Sequence, residues 1–503
     1  MAVDEVVRRS LATAPQDRFA TARALADALV EAARRPATPE LSLVVLPFEN
    51  LSPDPDNAFF ADGLTEEIIA ALTKVRALRV ISRTSAMLMR GSKKDVPTIA
   101  RDLNVRYLLE GSVRRAGNSL RITAQLIDGS TDEHLWAERY AGTLDDVFDL
   151  QERLARSIVD ALKIALAPDE DRRLGERATS DPRAHEAWMR AMHESRQFTK
   201  EGADRALQMV NQALATIGDE ALLYAALGFI HYVAYDFWFS HDDETLRRAE
   251  AASARALALN PELSQAALSM ALVCYKRGDA NGFARYARRA VELERDADAL
   301  TWWGLALVEA GRVEEARDVS DEAVARDPLA FWQVMVRGFA DLVNARHEEA
   351  YGRIRRAVEK VFGDSPMAVW WLGQSAAYAA HDDEAKAALA RVETMGEEPF
   401  AGWAEVMRRA LEGDRDGACD AIERVGLRDA ARSDEYVPAY LAACLAQVGE
   451  IDEALGWIER AISWGLVAHR FYETNRFFAP LRGDPRFQAL LERAREKERA
   501  FEA

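Results

Sequence analysis

Apolar and polar positions follow two different periods along the 503 residues, and the places where the period changes divide the chain. In residues 4–35, Val6, Val7, Leu11, Ala20, Ala24, Leu25, Ala28 and Leu29 recur at three- and four-residue steps. That spacing predicts helix, broken at Pro15 and closed by Pro36 and Pro39. A helical piece so short cannot bury its own apolar faces and must pack on something else. From about 41 to 166, strand and helix patterns alternate. SLVVLPF (42–48) is a continuous apolar run suited to a buried strand. FFADGLTEEIIAALTKV (59–75) predicts an amphipathic helix with Glu66 and Glu67 in its first turn, where the helix dipole favours acids. LRVISRTSAMLM (78–89) reads as a strand and VPTIARDLN (96–104) as a short helix. In 107–128, Gly117-Asn118 supplies a tight turn, and Leu120, Ile122, Ala124 and Leu126 fall on one face of the return strand. EHLWAERYAG adds a strand, and VFDLQERLARSIVDALKIAL closes the unit as a helix.

Beyond residue 167 the pattern is helical throughout and repeats. Gly304, Ala316 and Ala323 recur 34 residues later as Gly338, Ala350 and Ala357. Ala271, Gly278 and Ala290 stand 33 residues before Gly304, Gly311 and Ala323. Gly449, Ala454 and Ala461 keep the internal spacing of Gly311, Ala316 and Ala323. Small residues let paired helices approach, a glycine ends the first helix, and proline after the second stops it. A period near 34 with these residue types predicts a stack of helix pairs, six or more, with weak units at 183–218 and 398–430. The expected fold class is α+β overall: a small α/β domain followed by an all-α superhelix.

Charge sharpens this division. Of the net −18, residues 1–166 contribute −2 and residues 167–503 contribute −16. So acidic a helical half repels phosphate backbones, which argues against a general nucleic-acid binder. The longest apolar run, ALLYAALGFIHYVAY (221–235), is short for a membrane span and contains His231, so a buried helix is expected. The N-terminus has charges where a signal peptide needs its apolar run. Cys274, Cys419 and Cys444 are far apart and read as small hydrophobes in a reducing compartment. A cytoplasmic protein is expected.

Two sets of residues resemble known families. The repeats resemble tetratricopeptide repeats, whose family role is to bind proteins or peptides in a concave groove. VVLPFENLSPDPDNAFFADGLTEEIIAAL and the YLLEGSVRR…LRITAQLID hairpin resemble the TolB-amino-terminal-like domain, which precedes such repeats in bacterial signalling proteins. VVRRSLATAPQDRFATARALADAL resembles the last helices of a bacterial Ser/Thr kinase domain, with Arg18 at the position of the anchoring arginine. The resemblances imply three parts: a kinase C-lobe remnant at 1–36, a TolB-like domain at 41–166 and a repeat solenoid at 167–503. Family members carry a kinase, a nucleotide cyclase or a DNA-binding domain ahead of the last two.

Chemistry is sparse. A kinase needs a Gly-rich loop, HRD and DFG, and none occurs in this sequence; nor does GxxxxGK[ST], HExxH or GxSxG. His185 and His193, eight apart, read as solvated side chains rather than metal ligands. No catalytic residue, metal or cofactor is assigned, and the chain is expected not to be an enzyme. Residues 74–121 carry twelve Lys and Arg against Asp95, Asp102 and Glu110. Arg90, Lys93, Lys94, Arg114, Arg115 and Arg121 form its candidate basic patch, read either as a solvated face or as a surface that docks on the acidic solenoid or an acidic partner. The repeat resemblance implies a peptide groove lined by Tyr275, Thr301, Leu305, Val308, Trp332, Met335, Phe339 and Leu342, positions that core packing would also explain. The function expected is a signalling adaptor that binds a protein or peptide, with a kinase or other signalling protein as a possible partner. The alternatives are the regulatory C-terminal half of a Ser/Thr kinase whose catalytic domain lies upstream, and a transcription-linked sensor module.

Overall fold

The structure is a computed structural model. It describes Ser10 and residues 41–501 apart from 53–56, 198, 237–238, 241, 397–398 and 435. The kinase-like segment at 1–36 therefore lies, Ser10 aside, outside the described residues.

One mixed sheet carries the α/β unit. Its strands are β1 (Ser42–Val45), β2 (Glu49–Asn50), β3 (Arg79–Val80), β4 (Tyr107–Ala116), β5 (Ser119–Asp128) and β6 (Glu133–Thr143). The order is β3-β1-β4-β5-β6, with β2 also pairing β4. β1 runs parallel to β3 and β4, whereas β4, β5 and β6 form an antiparallel meander. Leu120, Ile122, Ala124 and Leu126 are all buried, as their alternation predicts. They face helices Ala58–Thr73 and Val147–Ala161, while the opposite face of β4–β6, with Ser112, Arg114, Arg121, Thr123 and Arg139, stays open.

Two local expectations are corrected. The helix at Glu66 and Glu67 begins at Ala58, so both acids sit mid-helix, and they meet repeat residues instead of the helix dipole. The expected strand 78–89 ends after Val80, and Arg83–Met87 is helical. Ser82 and Ser85 there spend their hydrogen bonds on the solenoid, which stops the ladder.

The rest of the described chain is a run of helix pairs. The first pair is Pro182–Ser195 with Lys200–Ile217, and the eighth is Val437–Gln447 with Ile451–Trp464. At Gly304, Gly338 and Gly373 the second helix of the pair comes so close that a Cβ would lie 2.7, 3.1 and 2.7 Å from Ser320, Ile354 and Leu389. The apolar run at 221–235 is the helix Ala221–Asp236, mostly buried. No helix among the described residues is long and apolar enough to cross a membrane.

Both ends fold back on the middle. The apolar core of the α/β unit runs on into the first repeats through Trp188, Met189, Ala203 and Leu223. The α/β unit also reaches the turn after helix Val313–Arg326. There Ser82 N–H donates to Arg326 O at 2.7 Å, and Leu329 N–H donates to Ser85 Oγ at 2.9 Å. At the other end, Val467 and Ala468 N–H donate to Glu309 O at 2.9 and 3.1 Å. Arg470 donates to Asn344 at 2.7 Å, and Lys276 pairs with Asp434 at 3.3 Å.

Candidate functional site

Three places were candidates for chemistry or binding, beginning with the groove. Its eight residues divide by burial. Thr301, Leu305, Val308, Met335, Phe339 and Leu342 are all buried in the core, the alternative given for them, and do not line an open groove. Phe339 is capped by Tyr436 and Phe471, with ring centroids 5.5 and 6.1 Å away. Thr301 is satisfied internally, its hydroxyl donating to Ala297 O at 2.7 Å. Only Tyr275 and Trp332 of the eight remain half-buried. They are linked by Trp302, 6.0 Å from Tyr275 and 5.9 Å from Trp332. Phe331 and Phe362 extend the line at 5.4 and 5.6 Å steps. This half-buried aromatic row crosses the first helices of three successive pairs. Sequence reading found two of its members and passed over Trp302.

The basic patch splits. Arg115 reaches Glu186 of the first repeat at 3.0 Å, so one of its six residues does dock on the solenoid. Arg90 pairs with Asp62, and Lys94 pairs with Asp102 at 2.8 Å, both within the α/β unit. Lys93, Arg114 and Arg121 are exposed, and Arg114 stands directly opposite Arg121 in the β4–β5 register. Outside the six named residues, Lys74 donates to Glu176 O at 3.0 Å, Arg76 meets Asp169 at 2.6 Å, and Arg79 donates to Ala325 O. The contact between the two parts is therefore partly electrostatic, through Arg115 and basic residues outside the named six.

Those contacts enclose a third place, which the sequence did not suggest. Between the α/β unit and the repeats lies a cleft of about 420 Å³. Its walls come from helices Ala58–Thr73, Val147–Ala161 and Pro182–Ser195, and from the turns before helices Ser264–Arg277 and Ala297–Glu309. Eight acidic and five basic residues line it. On one side, Arg196 grips Glu66 with both guanidinium nitrogens, and Arg83 adds a contact at 3.3 Å. Burial works against this charge, but the two arginines win and hold the Glu66 carboxyl below its ordinary range. On the other side, Glu294, Asp296 and Asp298 have no Lys or Arg within ion-pair distance among the described residues; Asp296 caps its helix through Ala299 N–H at 2.7 Å, and Asp298 accepts from Gln333 at 3.1 Å. Crowding by the surrounding protein raises Glu294 and Asp296 above the usual carboxylate range, Asp296 most, because Glu294 and Asp298 also repel its charge, while Asp298 is exposed.

The floor is aromatic. His185 lies between Phe148 and Trp188, with centroids 5.0 and 6.0 Å away. It is 2 % exposed, not solvated as expected. Glu67 Oε1 lies 2.9 Å from its Nε2, off the axis of an N–H bond, and Nδ1 has no hydrogen-bond partner. His193 turns instead to Asp62, at 3.4 Å, so the two histidines do not share a site. Beside the cleft, Asp327 is fully buried and accepts from Ser85 N–H at 2.9 Å and from the Ser85 hydroxyl. Burial pushes its carboxyl up to about 7. Nothing local in the sequence singles out Asp327, because its partner lies 242 residues away.

Known proteins resemble parts of this chain. Residues 39–157 match the family described as HilA/YgeH-like transcriptional regulator, second domain. A curated relative, "Putative adenylate cyclase 3" of Rhizobium meliloti (strain 1021), is 44% identical over 195 residues, 39% of this chain and 33% of that protein. The chain thus spans about a third of the length of the curated relative it matches. Among solved structures, a Rap protein complexed with competence and sporulation factor is similar at TM-score 0.45 and 13% identity, over 63% of this chain and 98% of that one. A tetratricopeptide repeat protein from Parabacteroides merdae is similar at TM-score 0.34 and 11% identity, over 62% and 99%. Left-handed turns at Gly278, Gly311, Ala345, Ala380, Gly413 and Gly449 recur every 33 to 36 residues between the helices of successive pairs. On that pairing and period, the C-terminal two thirds of the chain are tetratricopeptide-type helical repeats.

Proposed function

We propose that this chain is a non-catalytic, cytoplasmic signalling scaffold that recruits a protein or peptide partner through its repeats. The observation that carries this reading is the half-buried aromatic row Tyr275–Trp302–Trp332–Phe331. Aromatic side chains partly open across adjacent repeats offer large contact area with little rotamer entropy to lose, the chemistry of interface anchors. The other six groove positions are buried, which supports this row as the seat of the partner. A photo-reactive phenylalanine in place of Trp332, in the full chain within its own cells, is expected to cross-link one protein. Trp302→Ala should reduce that adduct at least tenfold, about 1.4 kcal/mol or more of partner affinity. Cross-linking unchanged by Trp302→Ala, or nucleotide turnover by the purified chain, sinks the proposal.

A second reading is favoured by a separate observation. The matched family describes a second domain of transcriptional regulators, and the chain covers only a third of a relative named as a cyclase. Both fit a regulatory module that accompanies an output domain, such as the kinase whose terminal helices residues 14–29 resemble. Transcription-linked sensing belongs to the same reading.

A further inference from the structure

We propose that the cleft between the α/β unit and the repeats is a binding site for a small organic cation with more than one amino group, of the linear polyamine class. Four observations meet there. The cleft's volume, about 420 Å³, lies in the range of small-molecule sites, and it sits at the junction of two units, where such sites concentrate. Its solenoid wall presents Glu294, Asp296 and Asp298 in a row without a direct cationic partner, while Lys74, Arg83 and Arg196 act on that row only from beyond ion-pair distance. Its floor, Phe148 with His185 and Trp188, suits cations: the Arg177 guanidinium already lies 5.0 Å from the Phe148 ring centroid.

The fourth observation is a vacancy in hydrogen bonding. His185, 2 % exposed, lines the cleft, and neither of its ring nitrogens has a hydrogen-bond partner. A neutral imidazole keeps one ring nitrogen as an acceptor, which suits an ammonium N–H. A divalent metal fits less well, because no group of three or more His, Cys, Asp or Glu among the described residues is arranged to hold one. Several separate acids along one wall instead suit a ligand whose charges are spaced along a chain.

The test is calorimetric titration of the full chain with spermidine at 0.15 M salt, where diffuse attraction to a −18 protein is screened. One saturable site per chain is expected, with a rise in melting temperature. The double variant Asp296→Asn, Asp298→Asn should weaken that site at least tenfold, since Asn keeps both the helix cap and an acceptor for Gln333. If the double variant does not fold, Glu294→Gln alone is expected to weaken binding several-fold. Equal protection by Mg²⁺, saturable binding of ADP in place of spermidine, or spermidine binding indifferent to these variants overturns the proposal.

Discussion

Asp327 is the residue whose chemistry most clearly depends on the assembled fold. Its carboxyl stands at about 7 in the folded chain against an ordinary 3.8, because burial disfavours the charge more than Ser85 stabilises it. The folded state therefore holds a proton that the unfolded chain releases. Stability from this group is full below about pH 4 and is lost as pH rises toward about 7, by up to about 4 kcal/mol for a shift of this size. Asp327→Asn keeps the acceptor for Ser85 and removes the charge. Its stability relative to the parent chain should climb between pH 4 and 7 in urea titrations, then level off. A difference flat in pH would show that the carboxyl stays ionised in the folded chain. His185 teaches the same lesson: nothing local in the sequence distinguishes a solvated histidine from one sealed by Phe148, Trp188 and Glu67.

Helices and their ends were far more legible. The glycine that closes the first helix of a pair follows from local chemistry alone, since a left-handed residue there satisfies the last carbonyls. Gly278, Gly311, Gly413 and Gly449 take that conformation as the spacing implies. At two of the equivalent turns the residue is alanine, with φ of 60° at Ala345 and 65° at Ala380. A Cβ in that region is strained, whereas glycine adopts it freely. Ala345→Gly is thus expected to stabilise the repeat by about 0.5–1 kcal/mol after the added chain entropy is counted, measured as a higher urea midpoint at unchanged slope. Elements shaped by distant partners were the illegible ones. The strand expected at 78–89 has the right residues for a strand, yet contacts with Ala325, Arg326 and Asp327 take it out of the sheet after Val80.

Across the molecule, the groove shows why fold and site differ in legibility. Helical period identifies the inner helices but carries no information on what lies against them. Phe339 is covered by Tyr436 and Phe471, residues beyond Asp434 that return to it, and Leu305 and Leu342 lie in the same apolar core. Deleting residues 434–503 should uncover that apolar face, seen as dye binding and concentration-dependent self-association by light scattering. A truncated chain that stays monomeric and binds no dye would mean that the inner face closes without its C-terminal helices.

The return of both ends to the middle also sets a timetable. Helical arrays ordinarily fold as a line, each unit leaning on its neighbour as it forms. Here Ser85 must wait for Asp327, and Asn344 for Arg470, separations of 242 and 126 residues. At ribosomal rates of about 5–20 residues per second, the α/β unit spends roughly 8–32 s after its own synthesis with its contacts to the turn at 325–329 unmade. During that interval Arg79, Ser82 and Ser85 are an open edge of the nascent chain, and the joint closes only when the turn at 325–329 has left the ribosome.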